Sequence, residues 1–113
     1  MATFDICRFN TFILGATKAA ICSLARGFYA DLLERHIRVH ILSPAPIEIP
    51  IVDRLGMPQE NVNGIKQYLA SGVPLKRLGT TDEMAKGFLY LASDDSSFML
   101  AGEIVLDGGT GQI

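Results

Sequence analysis

Apolar residues recur at helical spacing through the first third of the chain. The pattern begins near Leu14, ends near Arg35, and predicts one long helix with a wide apolar face. Five side chains at four-residue intervals share that face: Ala16, Ala20, Leu24, Phe28 and Leu32.

Residues 36–43 form a second apolar segment with a different pattern. The segment is rich in β-branched residues and is followed by Pro44, Pro46 and Pro50, which cannot continue a hydrogen-bonded strand. It therefore predicts a strand that ends in a rigid loop.

Residues 51–72 lack a continuous pattern. Gly56, Pro58 and Gly64 interrupt them, and such residues favour turns. We expect short helices separated by turns in this segment, where Asp53 and Glu60 stand as isolated charges.

The last third of the chain carries two clearer signals. Thr80 and Glu83 have the spacing of a capping box, in which each side chain bonds the other's backbone, and they precede apolar residues at helical spacing. A helix over 81–93 is predicted. Residues 103–107 then form an apolar run closed by Gly108 and Gly109, which predicts a second buried strand.

The order of these elements predicts an α/β fold. A helical crossover between two strands makes them parallel. Parallel strands normally have both faces covered and belong to larger sheets, yet the pattern yields only two. We therefore expect an incomplete fold.

Composition limits the classes of partner. The chain has 113 residues, is 49% hydrophobic and carries a net charge of -2, with no basic cluster of the kind that binds nucleic acid or an anionic membrane. The mean hydropathy of +0.28 is high for a small domain and indicates apolar surface that faces a partner. We predict a homo-oligomer.

The sequence also predicts a cytoplasmic protein. No apolar run approaches the roughly 18 to 20 residues that span a bilayer, and the first residues lack the pattern of a secretory signal. Cys7 and Cys22 form neither a CxxC pair nor a disulfide framework, so we expect reduced thiols.

Three stretches together resemble the short-chain dehydrogenase/reductase family: GATKAA at 15–20, IRVHILSPAPI at 37–47 and AGEIVLDGG at 101–109. The resemblance implies an incomplete Rossmann-like fold, with two parallel strands, a long helix and crossover helices. It assigns 14–113 to the C-terminal half of such a domain and leaves 1–13 unassigned. The family's activity would be oxidation or reduction with NAD or NADP.

The family's chemistry depends on a Tyr-x-x-x-Lys pair in the long helix. The resemblance makes Lys18 the catalytic lysine, which also holds the nicotinamide ribose, but the residue four positions earlier is Leu14, which has no proton to exchange. Tyr29 lies eleven residues after Lys18, about 16 Å further along the helix axis, and cannot replace the missing tyrosine. Lys18 would then be a vestige of the family's site.

The loop after the first strand departs from the family pattern as well. Pro44 and Ile47 match the cofactor-binding loop, whereas Ala45 replaces a glycine and Ile49 stands where a threonine is expected. The family's Gly-rich phosphate turn and its catalytic serine and asparagine do not occur in this sequence. No cofactor is therefore expected for the isolated chain.

Other residues offer weaker candidates. His36 and His40 lack a third ligand, so we predict no metal site, and the adjacent Asp94 and Asp95 suit a loop at the end of a helix. A further set fits either a substrate pocket or a small core: Met57, Tyr68 and Leu69.

Three functional hypotheses follow. The first is a truncated homologue of the family without independent oxidoreductase activity. The second is an NAD(P)-dependent oxidoreductase that becomes active when a separate chain supplies the missing half. The third is an oligomerising interaction module, because the family's long helix forms one dimer surface and its capped helix with the final strand forms another.

Overall fold

The computed structural model describes residues 12–50 and 53–111. Its first element is helix α1, Phe12–Leu32, which a 3-10 turn over Leu33–Arg35 prolongs. His36 ends the turn with a left-handed backbone, φ 57°. The predicted long helix is confirmed.

Two short strands form a parallel sheet. Strand β1 spans Ile41–Pro44 and strand β2 spans Glu103–Leu106, in a register that sets Ile41 beside Glu103 and Pro44 beside Leu106. The predicted pair of parallel strands in an α/β arrangement is therefore confirmed.

The predicted bounds of the first strand were wrong. Residues 36–40 are not part of the sheet, which begins where the Ile41 amide donates to the Gly102 carbonyl at 3.0 Å. Within the described residues, β2 begins only at Glu103, so no strand lies beside the β-branched residues upstream of Ile41. Arg38 and His40 take part in a side-chain cluster instead.

Helix α2 spans Gln59–Ser71 and runs without a break through Gly64. The prediction of short helices separated by turns is confirmed at Gly56 and Pro58, where a break separates the 3-10 turn over Asp53–Leu55 from α2, and it was wrong at Gly64. An internal glycine costs about 1 kcal/mol in a helix, and the burial of Val62, 1% exposed, stabilises α2.

Helix α3, Thr81–Ala92, covers the sheet. Its capping box is present as predicted, since the Thr80 side chain accepts from the Glu83 amide and Glu83 accepts from the Thr80 amide. A Cβ atom at Gly87 would lie 2.7 Å from Leu106 Cδ1 and 2.8 Å from Leu42 Cδ1. The absence of a side chain at Gly87 thus lets α3 approach both strands closely.

Few apolar side chains are fully buried in the described part of the chain. Those that are lie in α2, in α3 and in the segment between them: Val62, Val73, Met84 and Leu91. Large apolar side chains remain exposed on α1 and α3, for example Leu24 at 57% and Leu89 at 69%. The apolar surface indicated by the composition is therefore present on two helices.

Candidate functional site

The first candidate residues lie in the early turns of α1. Leu14 and Lys18 both belong to this helix, so they occupy consecutive turns on one face, separated by about 6 Å along the axis. The Lys18 side chain is exposed. Tyr29 lies in the same regular helix, which keeps it about 16 Å from Lys18 along the axis.

The loop after β1 is fixed by backbone hydrogen bonds to its neighbours. The Ala45 amide donates to the Leu106 carbonyl at 3.1 Å, and the Glu48 amide donates to the Gly79 carbonyl at 2.7 Å. The Gly79 amide returns a bond to the Pro46 carbonyl at 3.1 Å. The end of the sheet and the segment before α3 therefore hold this loop in one conformation.

Pro44 and Ile47, the two positions that match the family's cofactor loop, border this fixed segment. Pro44 ends β1 and is exposed, while Ile47 is half-buried and pairs with Gly79 in an isolated parallel bridge. A Cβ at Gly79 would lie 3.0 Å from Ile47 Cγ2. Ile47 thus packs against the protein's own backbone.

The described residues fit a nicotinamide ring poorly. The amides of Ala45 and Glu48 are already used inside the protein, and Ile49 places an apolar group where a hydroxyl would be needed. Three positions match the family's cofactor site: Lys18, Pro44 and Ile47. Of these three, Lys18 has the polar side chain that a cofactor could contact.

Lys66 of α2 links the loop after β1 to the 3-10 turn over Asp53–Leu55. Its ammonium lies 3.0 Å from Asp53 Oδ1 and 3.8 Å from Glu48 Oε1. Asp53 is therefore paired, and its interpretation as an isolated charge was wrong. No local pattern indicates this contact, because Asp53 and Lys66 lie on different elements thirteen positions apart.

An open apolar cleft of about 660 Å³ lies between the segment before α3, α3 itself and β2. The apolar wall of the cleft includes Val73, Leu75 and Val105. Its polar wall includes the ion pair of Arg77 and Glu83. Three earlier pocket candidates do not line this cleft: Met57, Tyr68 and Leu69. Tyr68 is 65% exposed.

Asp107 anchors the final turn. The carboxylate is 8% exposed and accepts from the amides of Gly109, at 2.8 Å, and Gly111, at 2.7 Å. Gly108 and Gly109 take positive φ angles of 59° and 93°, which glycine adopts without strain. The glycines therefore form a closing turn, and the sequence analysis missed the buried aspartate that holds it.

The two histidines, His36 and His40, and the adjacent aspartates, Asp94 and Asp95, do not form a metal centre. Within residues 12–50 and 53–111, no group of three or more histidine, cysteine, aspartate or glutamate side chains is placed to hold a metal ion. Asp94 and Asp95 lie exposed in a 3-10 turn over Asp94–Ser96. In the same part of the chain, no helix is long and apolar enough to cross a membrane.

Comparison with known proteins gives a consistent result. Residues 6–111 match the family model described as Enoyl-(Acyl carrier protein) reductase, a match that begins before residue 14. The oxidoreductase asL5 of Sarocladium schorii is 43% identical over 102 residues, which are 89% of this chain and 39% of the relative. The 2-keto-3-deoxy-L-fuconate dehydrogenase of Xanthomonas campestris is 34% identical over 88% of this chain and 34% of its own length.

Solved structures show the same fold. A short chain dehydrogenase family protein from Francisella tularensis superposes with a TM-score of 0.77 and 26% identity, over 93% of this chain and 46% of that one. A short-chain dehydrogenase/reductase from Caenorhabditis elegans, solved with cofactor, gives a TM-score of 0.75 and 31% identity, over 88% of this chain and 38% of that one.

These matches define a class of oxidoreductases with a Rossmann-like fold. The chain belongs to the short-chain dehydrogenase/reductase family. It spans 39% of the length of the Sarocladium relative and 34% of the Xanthomonas one.

Proposed function

We propose that this chain is a portion of a short-chain dehydrogenase/reductase and that, by itself, it does not catalyse hydride transfer. One observation supports this proposal most strongly: Leu14 lies one turn before Lys18 in α1. The proton of the reaction must pass between the protein and the substrate oxygen, and a leucine side chain cannot exchange one.

The bonding of the β1 loop supports the same proposal. Members of the family generally use NAD or NADP, but the Ala45 and Glu48 amides are engaged within the fold. Lys18, Pro44 and Ile47 would contact a cofactor if one bound. We expect such binding to be weak, because Ile49 offers no hydroxyl at the position where the family's threonine contacts the nicotinamide carboxamide.

A steady-state assay tests this proposal. The isolated chain is incubated with NADH or NADPH and a panel of aldehydes and ketones, with a full-length relative as the positive control. We expect no cofactor oxidation above the protein-free rate and no saturable heat in a calorimetric titration. Turnover by the isolated chain would overturn the proposal.

A second candidate function is that of an oligomerising module. Ile21, Leu24 and Phe28 are 53%, 57% and 54% exposed, and their spacing places them on one stripe of α1. An exposed apolar stripe of this kind favours association. We therefore propose a homo-oligomer in which α1 of one copy packs against α1 of another.

Light scattering with matched variants tests this association. Leu24→Glu places a charge in the stripe and should shift the mass toward that of a monomer. Ala19→Glu adds the same charge to an exposed position on the opposite side of α1 and should leave the mass unchanged. A wild-type chain that is monomeric at micromolar concentration would count against this function.

A third candidate is completion by a separate chain. The amides of Ile41 and Ala45 bond toward β2, so alternation along a parallel strand directs the Leu42 amide toward the other edge of β1. No strand within the described residues pairs with that edge. A complex with the separately expressed amino-terminal portion of a relative, detected by co-purification, would support completion, and its absence would count against it.

A further inference from the structure

Arg38 joins the approach to β1 to the turn that follows α3. Its guanidinium donates to the Ser93 carbonyl at 2.9 Å and to the Ser96 carbonyl at 2.9 Å, and it also contacts the Ser96 hydroxyl. Ser96 is 1% exposed, and its hydroxyl donates to the Leu91 carbonyl at 3.0 Å. A cation is thereby held at the carboxyl end of α3, where the helix dipole favours it.

His40 completes this cluster of side chains. Its Nε2 atom lies 3.2 Å from Arg38 Nη1. Because arginine has only donors, the contact is a hydrogen bond only when Nε2 is unprotonated. The remaining ring nitrogen, Nδ1, is buried and has no hydrogen-bond partner. The hydrogen bond from Arg38 therefore requires a neutral His40 that carries its hydrogen on Nδ1.

Protonation of His40 would change this contact from attraction to repulsion. Nε2 would then carry a hydrogen directed at the guanidinium, and two cations would face each other at hydrogen-bond distance. Burial of the ring lowers the pKa of His40, the positive charge of Arg38 lowers it further, and the nearby Gly102 carbonyl opposes the shift.

Within residues 12–50 and 53–111, no carboxylate accepts a hydrogen bond from His40 that would compensate for the added charge. Asp94 and Asp95 are exposed in the neighbouring turn, and Glu103 at the start of β2 accepts instead from the Ser43 hydroxyl at 2.6 Å. On the same segment as His40, the nearest titratable neighbour besides Arg38 is His36, which is exposed. Repulsion between a protonated His40 and Arg38 is therefore reduced only when the His40 ring and the Arg38 guanidinium move apart.

We propose that the Arg38 and His40 pair makes the attachment of the 94–96 turn to β1 sensitive to pH. The attachment holds while His40 is neutral and loosens when His40 is protonated. This property is separate from the family's chemistry, because neither residue belongs to the matched catalytic or cofactor positions.

The sign of the pH dependence follows from linkage. A histidine whose pKa is lowered in the attached state binds protons more readily once the turn is released. The contribution of the Arg38 and His40 pair to the free energy of opening the 94–96 turn is therefore fully present above pH 6.5, the ordinary pKa of histidine. It falls as the pH drops below 6.5.

Native-state hydrogen exchange on the whole 113-residue chain tests the proposal. The amides of Ser97 and Met99 report on the turn, since they donate to Asp94 and Ser96 at 2.9 Å each. Between pH 7.5 and 5.5 their protection factors, corrected for intrinsic exchange, should fall several-fold, whereas those of α2 should not. An equal fall in α2 would indicate global unfolding and would overturn the proposal.

Two variants separate His40 from other titrating groups. His40→Asn replaces the ring with a polar side chain that cannot be protonated in this range, so the pH dependence of Ser97 and Met99 protection should disappear. His36→Asn is the matched control, because asparagine tolerates the left-handed backbone at that position, and it should behave as the wild type. Persistence of the pH dependence in His40→Asn would overturn the proposal.

Discussion

The Arg77 guanidinium binds the Glu83 carboxylate through two parallel hydrogen bonds, Nη2 to Oε1 at 2.7 Å and Nη1 to Oε2 at 2.9 Å. The same carboxylate accepts from the Thr80 amide at 2.8 Å. One side chain therefore links the segment before α3 to the first turn of that helix. The hydrogen bond from Arg77, followed by that from the Thr80 amide, lowers the pKa of Glu83 to about 2.

Acid should remove the contribution of Glu83 to stability. Because its pKa is lowered in the folded chain, that contribution is fully present above about pH 4.5 and is lost as the pH falls toward 2. Glu83→Gln should therefore be less stable than the wild type in urea at pH 7, and the difference should shrink toward pH 2.

Glu60→Gln controls for the loss of one negative charge. Glu60 lies exposed in the first turn of α2, so its replacement should change the urea midpoint little at any pH. A stability difference for Glu83→Gln that stays constant from pH 7 to pH 2 would contradict the pairing of Glu83 with Arg77.

Ala101 has a left-handed backbone, φ 50°, just before β2. This conformation costs a residue with a Cβ about 1 kcal/mol or more, and glycine avoids most of that cost. Ala101→Gly should therefore stabilise the chain by roughly 0.5 to 1 kcal/mol, measured as a rise in the urea midpoint.

The same substitution inside a helix should have the opposite sign. Ala85 is exposed within α3, and Ala85→Gly should cost about 1 kcal/mol. If Ala101→Gly also destabilised the chain, the left-handed conformation at that position would be wrong.

Two helical glycines should respond differently to an added side chain. A Cβ at Gly87 meets Leu106 and Leu42, whereas one at Gly64 meets nothing within 4 Å. Gly87→Val should force α3 away from the sheet and cost about 1 to 3 kcal/mol. Gly64→Ala should instead stabilise α2 by up to about 1 kcal/mol. Thermal or urea unfolding of both variants gives the comparison, and a stabilised Gly87→Val would contradict the close packing of α3.

The contrast between these glycines shows what local sequence can predict. The capping box of Thr80 and Glu83 depends on residues three positions apart, so the sequence sufficed to place the start of α3. Gly64 carries the local signal of a helix breaker, yet α2 continues through it because the burial of Val62 stabilises the helix. The close approach of α3 to the sheet at Gly87 depends on two strands that are distant in the chain. The hydrophobic pattern therefore could not predict it.

The candidate site divides in the same way. The relation between Leu14 and Lys18 follows from helical spacing alone and was predictable once the helix was recognised. Arg38 and Ser96 are 58 positions apart, and their contact exists only because α3 returns the chain to the sheet. The roles of Arg38 and Asp107 therefore required the tertiary structure.

The absence of a proton donor one helical turn before Lys18, at Leu14, is the central claim about function, and deuteride transfer tests it most directly. NADH and NADPH deuterated at C4 of the dihydronicotinamide ring are supplied with a panel of carbonyl compounds, and deuterium in the alcohol products is measured by mass spectrometry. The chain is assayed alone and together with the amino-terminal portion of a full-length relative. We predict no deuterium above the protein-free control while Leu14 is present, in either sample. Deuterium transferred by the unmodified chain, alone or in the mixture, would contradict the account.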